Sequence, residues 1–171
     1  MGLNAIDKFG AVVAAADAKV KNGADALATK QAGISNLAAL VNALQVLKST
    51  FPPDATASTP LLNSGHQSYP AVDTTALNSA ITNAQNLLTL VNSEQLYIPS
   101  VITVSGTTTL STISQMLDDA NTAYNSASTI SVSDAAQQKA DSEQLQTVVG
   151  LQSNLYAKYF ATMHTFTSNM V

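Results

Sequence analysis

Aliphatic residues recur at every seventh position over the first fifty residues of the chain. Three positions after each of them lies a second series, which is mostly apolar but weak at Gly23 and Lys30. Such alternating steps of three and four residues are typical of a helix that packs along another helix. The first series is Ile6, Val13, Val20, Leu27, Ile34 and Val41, and the second is Phe9, Ala16, Gly23, Lys30, Leu37 and Leu44. The pattern predicts one helix from about residue 4 to 49, roughly 70 Å long, which Phe51-Pro52-Pro53 ends.

A second long helix is predicted from about residue 132 to 170. Ser131 and Asp134 can form a capping box at its start. Apolar residues then recur near heptad spacing, and other apolar residues widen the stripe. The recurring positions are Leu145, Val148, Leu155, Tyr159, Phe166 and Met170, and those that widen it are Val149, Tyr156 and Met163. With Phe160, this helix holds four of the nine aromatic residues of the chain, and its apolar surface is wider than one partner helix covers.

The residues between these two helices predict shorter elements. One helix is expected from Asp73 or Thr74 to about Ser93, and another from about 108 to 127. The β-rich segment from Leu96 to Val104 contains Pro99, so an extended or edge segment is expected there. Four of the five prolines fall between 52 and 70, and we expect 51–72 to be a surface loop that tolerates change.

These elements define an all-α fold. We expect the long N- and C-terminal helices to pair as an antiparallel coiled coil, with a small, mostly helical central insertion that includes one extended segment. The corresponding organisation is an N-terminal coiled-coil helix (1–50), a central surface-exposed region (51–131) and a C-terminal coiled-coil helix (132–171).

The amino-acid composition argues against several classes of function. Only 11% of the residues are charged, the seven basic residues are all lysine, and the net charge is −4. Without arginine and with a negative net charge, nucleic-acid binding is not expected. The absence of cysteine excludes zinc-finger, iron–sulfur, disulfide-scaffold and thiol-nucleophile chemistry. No stretch is apolar and long enough to predict a transmembrane segment.

Candidate catalytic groups are few and isolated. His66 lies in a loop bounded by glycine and proline, and no second histidine or acid is near it in sequence. His164 lies on the last helix, where packing or solvent exposure is the simpler interpretation. Asp118 and Asp119 are adjacent, so on a helix they point about 100° apart, and they lack the alternating acids and glycine of a cation loop. We therefore expect no catalytic residues, no cofactor and no bound metal, and a protein that is not an enzyme.

The terminal segments Ile6–Leu47 and Leu145–Met170, with a compositionally different middle between them, resemble the extracellular filament subunits of type III secretion, which are the translocator filament proteins and Hrp pilins. The sequence from Leu151 to Phe160 is similar in its general residue pattern to the final helices of such subunits. The resemblance covers the chain as architecture and composition only. One departure is that the heptads begin by Ile6, where these families have a flexible Ser/Thr-rich export signal.

The resemblance implies a structural protein that self-assembles into a secreted extracellular helical filament or pilus. A conduit for protein secretion is one role that such a filament would have. The implied partner is the chain itself, and secretion-apparatus proteins or a chaperone are further candidates. The implied location is extracellular or at the cell surface. We expect the assembly interface to comprise Ile6, Val13, Val20, Leu27, Ile34, Leu37, Val41, Leu44, Leu155, Tyr156, Tyr159, Phe160, Met163 and Phe166.

Two other interpretations remain at this point. A stripe at helical spacing is also what the core of a monomeric bundle requires, so a helical-bundle adhesin or ligand-binding module is the main alternative. A helical toxin component that inserts into membranes is weaker, because Asn36, Asn42 and Gln45 interrupt the most apolar stretch.

Overall fold

A computed structural model describes residues 2–62, 74–93 and 103–168. Three helices make up most of this: α1 (Gly2–Ser49), α2 (Thr74–Ser93) and α3 (Leu110–Ser168). The described residues contain no strand, only an isolated antiparallel bridge between Pro60 and Thr109. The expected all-α class is confirmed, and α1 and α2 have close to the predicted bounds.

α3 differs from the prediction, because one continuous helix replaces the two that were expected at 108–127 and 132–170. The expected capping box at Ser131 and Asp134 is therefore wrong, since both residues lie inside the helix. No proline or glycine interrupts the chain between Gly106 and Gly150. The hydroxyl of Thr129 donates to the carbonyl of Asn125 at 2.9 Å, which shows how a Thr side chain is accommodated inside a helix without ending it.

The chain divides into two compact units, and both α1 and α3 contribute residues to each. We call residues 1–28 and 132–171 the terminal unit, and residues 29–131 the central unit. Among the described residues, every buried hydrophobic side chain belongs to the central unit. In the central unit three helices meet and enclose this core, whereas the described part of the terminal unit contains only α1 and α3.

The core of the central unit lies where α1, α2 and α3 meet. On α1, Leu37, Leu40, Leu44 and Leu47 are spaced by three and four residues and are fully buried. That spacing places four leucines on one helical face, which is the pattern a core-facing helix requires. The remaining core residues are Ala43, Leu61, Leu77, Ala84, Leu88, Val91, Val104, Ile113, Met116, Leu117 and Ala120.

The segment after α1 is more ordered than the predicted surface loop. Leu61 is buried, and its backbone N–H donates to the carbonyl of Thr108 at 2.9 Å. The N–H of Leu62 donates to Gly106 at 2.7 Å, and a side chain at Gly106 would collide with Leu62. The expectation that 51–72 tolerates change is therefore wrong for Leu61 and its neighbours, because their backbone groups and one core side chain are in use. Residues 63–72, His66 among them, and most of the predicted extended segment lie outside the described residues.

α1 and α3 pack against each other. In the terminal unit, Lys19 contacts Asp141, and Gly23 lies against Gln138. Contacts therefore move backwards along α3 as they advance along α1, so these two helices are antiparallel in this unit. In the central unit, Ile34 on α1 and Ala127 on α3 line a cavity together, so the two helices lie side by side there as well.

Candidate assembly surface

The terminal unit leaves large apolar side chains exposed along the last third of α3. Phe160 is 65% exposed and Phe166 is 63% exposed. Two packed helices can shield only the stripe between them, so apolar residues beside that stripe stay in contact with water. The other exposed apolar residues of this region are Val149, Leu151, Leu155, Tyr156 and Met163.

These residues form two neighbouring faces of the helix. Tyr156, Phe160 and Met163 are spaced by four and three residues, and Val149 continues the same row two turns earlier. We call Val149, Tyr156, Phe160 and Met163 the C-terminal apolar face. A second row contains Leu151, Leu155, Tyr159 and Phe166. The ring of Tyr159 meets that of Phe160 edge-on, with the ring centroids 5.9 Å apart, so an aromatic pair links the two rows.

This part of α3 carries almost no charge. Between residues 144 and 168 the only charged side chain is Lys158, accompanied by His164, which is exposed. Charges of one sign on facing surfaces oppose association, and their desolvation costs free energy. An apolar surface with a single lysine carries little of either cost.

The structure distributes the fourteen predicted interface residues between several environments. Leu37 and Leu44 are fully buried in the core of the central unit, so we assign them to folding. Ile34 and Val41 are partly buried in that unit, and Val13, Val20 and Leu27 are partly buried in the terminal unit. Leu155, Tyr156, Phe160, Met163 and Phe166 are exposed, whereas Tyr159 is partly buried. Ile6 is within α1, but its side chain lies outside the described residues.

Sequence reasoning did not single out two of the exposed apolar residues, Ile130 and Val132, which are 53% and 71% exposed. Both lie where a break between helices was expected, so neither was placed on a helical face. The absence of proline and glycine between Gly106 and Gly150 is the signal that allows a continuous α3, and a continuous helix places both residues on its faces.

A polar cluster joins α1 to α3 in the terminal unit. The ammonium of Lys19 donates to the carboxylate of Asp141 at 2.8 Å, and the carboxamide of Gln137 donates to the same oxygen at 2.9 Å. One turn away, the Gln138 carboxamide donates to the backbone carbonyl of Val20 at 2.6 Å. Polar contacts of this kind specify one register of a helix pair, because a shift of either helix breaks all of them together.

The hydrogen bonds from Lys19 and Gln137 hold the pKa of Asp141 below its ordinary value. A carboxyl whose folded pKa is depressed stabilises the fold above its unfolded pKa, and that stability is lost as pH falls through the folded pKa. We expect Asp141→Asn to flatten the fall in stability as pH drops below the ordinary pKa of Asp, about 3.9. Urea denaturation across this pH range measures the effect.

The matched control for this pH experiment is Asp118→Asn, a change at an exposed carboxylate on α3 in the central unit. It should leave the Asp141-dependent part of the acid transition in place. Identical acid transitions in Asp141→Asn and the unmodified chain would show that the Lys19–Asp141 pair does not contribute to folding.

Packing explains the glycine at position 23 but gives no reason for glycine at positions 10 and 150. A Cβ built at Gly23 would collide with the carboxamide of Gln138, but at Gly10 and Gly150 it would meet no atom of the described residues within 4 Å. Because alanine favours a helix over glycine by about 1 kcal/mol, Gly10→Ala and Gly150→Ala should each stabilise the protein by about that amount. Gly23→Ala should gain little, because the displaced Gln138 loses its bond to Val20. Thermal unfolding of the three variants provides the comparison, and a larger gain at Gly23 than at Gly10 would contradict it.

Sites for other chemistry are sparse in the part of the chain that the structure covers. Within it, no three His, Cys, Asp or Glu side chains are grouped so that they could hold a metal ion. Asp118 is exposed and Asp119 is partly buried. Over the same residues, none of the helices combines the length and apolar character needed to cross a membrane. α2 carries a shallow groove of about 510 Å³ lined by uncharged polar residues: Thr75, Asn78, Ser79, Thr82, Asn83 and Asn86.

Comparisons with known proteins leave the chain without an assigned family. No family model, curated protein or solved structure matches it.

Proposed function

We propose that this chain is a structural subunit that self-assembles into a secreted extracellular helical filament. In this proposal α1 and α3 pair as an antiparallel coiled coil in the terminal unit and provide the surface through which copies associate. The resemblance to type III secretion filament subunits suggests export by such a system, and a secretion conduit is one use for the polymer.

The observation that carries the proposal is the exposure of Phe160 and Phe166 among other apolar residues of α3. Aromatic side chains bury 150–250 Å² each on becoming enclosed, so these two alone leave on the order of 250 Å² in water. Their exposed neighbours on both rows add to this apolar surface, and large exposed apolar patches are typical of interaction sites.

Composition is compatible with this role. The chain has no cysteine, so copies outside the cell would not form disulfide cross-links. Low charge on the last third of α3 suits close contact with a neighbouring copy, because few charged groups have to be desolvated.

The alternative function is a monomeric helical-bundle adhesin or ligand-binding module, and the groove on α2 favours it. α2 has no charged residue, and Asn78, Asn83 and Asn86 line the groove together. Carboxamides both donate and accept hydrogen bonds, so a neutral polar ligand such as a sugar would suit this surface.

Sedimentation velocity over a range of protein concentrations distinguishes the two functions. A self-assembling subunit should form large species whose fraction rises with concentration, and Phe160→Ser should reduce it. A binding module should sediment as a monomer at every concentration, and Asn83→Ala should alter ligand binding without changing sedimentation.

A further inference from the structure

In the terminal unit, α3 extends past the first described residue of α1. Lys19 on α1 lies opposite Asp141 on α3. In an antiparallel pair, each step back along α1 is matched by one step forward along α3, because both helices rise by the same distance per residue. Gly2, seventeen residues before Lys19, therefore lies opposite about residue 158, seventeen residues after Asp141. No described residue of α1 lies opposite 159–168, which we call the free end of α3.

The burial of side chains along α3 follows this geometry. Leu145, Val148 and Gln152 are spaced by three and four residues, and all three are partly buried. Tyr159 and Phe166 continue the same series from Gln152 at steps of seven residues, which keeps them on the same side of the helix. Tyr159 is still partly buried, but Phe166 is 63% exposed. The apolar stripe therefore continues where its cover by α1 has ended.

A stripe with this spacing is a surface that an antiparallel helix can cover, as α1 covers the earlier turns of α3. The α1 helix of a second copy is not available for this, because Val13, Val20 and Leu27 of its stripe are partly buried in its own terminal unit. The free end of a second copy is available. Two free ends related by a two-fold axis run antiparallel, and each offers the other a helix of the same length and with the same stripe.

The free end also lacks the charges that oppose contact between identical surfaces. Residues 159–168 contain no Lys, Arg, Asp or Glu, and His164 is their only basic side chain. Successive residues of a helix are about 100° apart, so His164 points about 160° away from Phe166. A symmetric contact through the stripe therefore incurs neither like-charge repulsion nor the desolvation of a charged group.

The size of the free end sets the strength that we expect. Ten helical residues span about 15 Å, and a stable protein pair buries roughly 800 Å² on each partner. Aromatic side chains bury about 150–250 Å² each, so Tyr159, Met163 and Phe166 together supply less than that area. The expected contact is a weak one that forms at high protein concentration.

We propose that the free ends of two copies pack side by side and antiparallel, with Tyr159, Met163 and Phe166 of each copy against those of the other. This inference rests on the proposed self-assembly and specifies one of its contacts. Because both copies use the same surface, the contact closes in a dimer and does not by itself generate a fibre. Growth beyond the dimer requires a second surface, and Phe160 is free for it, about 120° from Phe166 around the helix.

Sedimentation velocity of two matched variants tests the contact. Phe166→Ser should raise the concentration at which dimers form by about tenfold or more, the loss typical of an anchor residue. Phe160→Ser is the control, because Phe160 has the same residue type and nearly the same exposure, 65% against 63%. It should form dimers at the unmodified concentration but fewer large species. Circular dichroism establishes that both variants are folded.

Disulfide trapping tests the same contact without filaments, because the chain has no cysteine. Met163 lies near the middle of the free end, so its two copies should lie close to the two-fold axis, and Met163→Cys should give cross-linked dimers on oxidation. Ala161→Cys is the matched control, since Ala161 is exposed on the same turns and points about 160° away from Met163. Equal yields of dimer from the two variants would overturn the proposed contact.

The outcomes separate this contact from the proposed function. Large species that form in Phe166→Ser at the unmodified concentration, with no preferential cross-linking at Met163→Cys, would overturn the contact and leave self-assembly standing. Dimers that depend on Phe166, with no larger species at any concentration, would support the contact and contradict the filament. A chain that remains monomeric throughout would contradict both proposals.

Discussion

Leu37→Asp is expected to unfold the central unit. Leu37 is fully buried among the leucines of α1 and packs in the same core as α2 and α3 residues. A carboxylate there would be desolvated without a partner, which costs about 3–5 kcal/mol. Because whole domains are stable by only about 5–15 kcal/mol, this loss would populate unfolded or partly folded chains. Urea denaturation followed by circular dichroism measures the change.

The control for Leu37→Asp is Ser35→Asp, an exposed position on the same helix two residues earlier. It adds the same charge without burying it, so it should change stability by about 0.5 kcal/mol or less. Leu27→Asp should have an intermediate effect, because Leu27 is only partly buried in the terminal unit. A Leu37→Asp chain as stable as Ser35→Asp would show that the core is wrongly placed.

Removal of residues 156–171 is expected to abolish assembly and leave a soluble, folded subunit. The deletion takes away much of the exposed apolar surface of α3, including Tyr156, Phe160, Met163 and Phe166, and the described residues that it removes, 156–168, include none of the buried core. The helical signal should therefore fall only by the deleted turns. Size-exclusion chromatography with light scattering measures the loss of large species.

Thr162→Ala and Thr165→Ala provide the matched control for this truncation. Both residues are exposed on the same turns, and each hydroxyl donates to a carbonyl of its own helix. Their replacement should leave assembly intact. If the truncated chain polymerises like the full chain, the end of α3 has no role in contacts between copies.

A replacement of residues 54–69 by a short Gly/Ser linker is not a neutral control, although the sequence favours that view. Leu61 within this segment is fully enclosed in the core, and Leu62 bonds to the backbone near α3. We expect such a replacement to destabilise the central unit before it affects any polymer contact.

The sequence predicted α1 and α2 well for physical reasons. The heptad series of α1 persists until Pro52 and Pro53, which cannot continue a helix. In α3 the residues Ser131 and Asp134 are compatible with a capping box, yet helical Thr and Ser side chains can also bond to carbonyls of the preceding turn, as Thr129 does. Composition alone does not show that alternative, so the continuity of α3 was missed.

The apolar pattern predicted which residues face other helices, but not how deeply they are buried. Leu27 belongs to the first heptad series of α1 and Leu37 to the second, and both series were expected to face other helices, yet Leu27 is partly buried and Leu37 completely. The difference arises because α2 is part of the central unit only. The width of the stripe on α3 predicts that one of its two apolar faces stays exposed, whereas Phe160 and Phe166, which lie on different faces, are both exposed. The cavity beside Ala127 depends on packing between distant residues, which no local pattern records.

Electron microscopy of the purified protein in negative stain shows whether identical copies of this chain assemble into a filament. We expect fibres of uniform width at high concentration, and no fibres from the chain that lacks residues 156–171 under the same conditions. Monodisperse particles of monomer size at every concentration, with the protein shown to be folded, would contradict it.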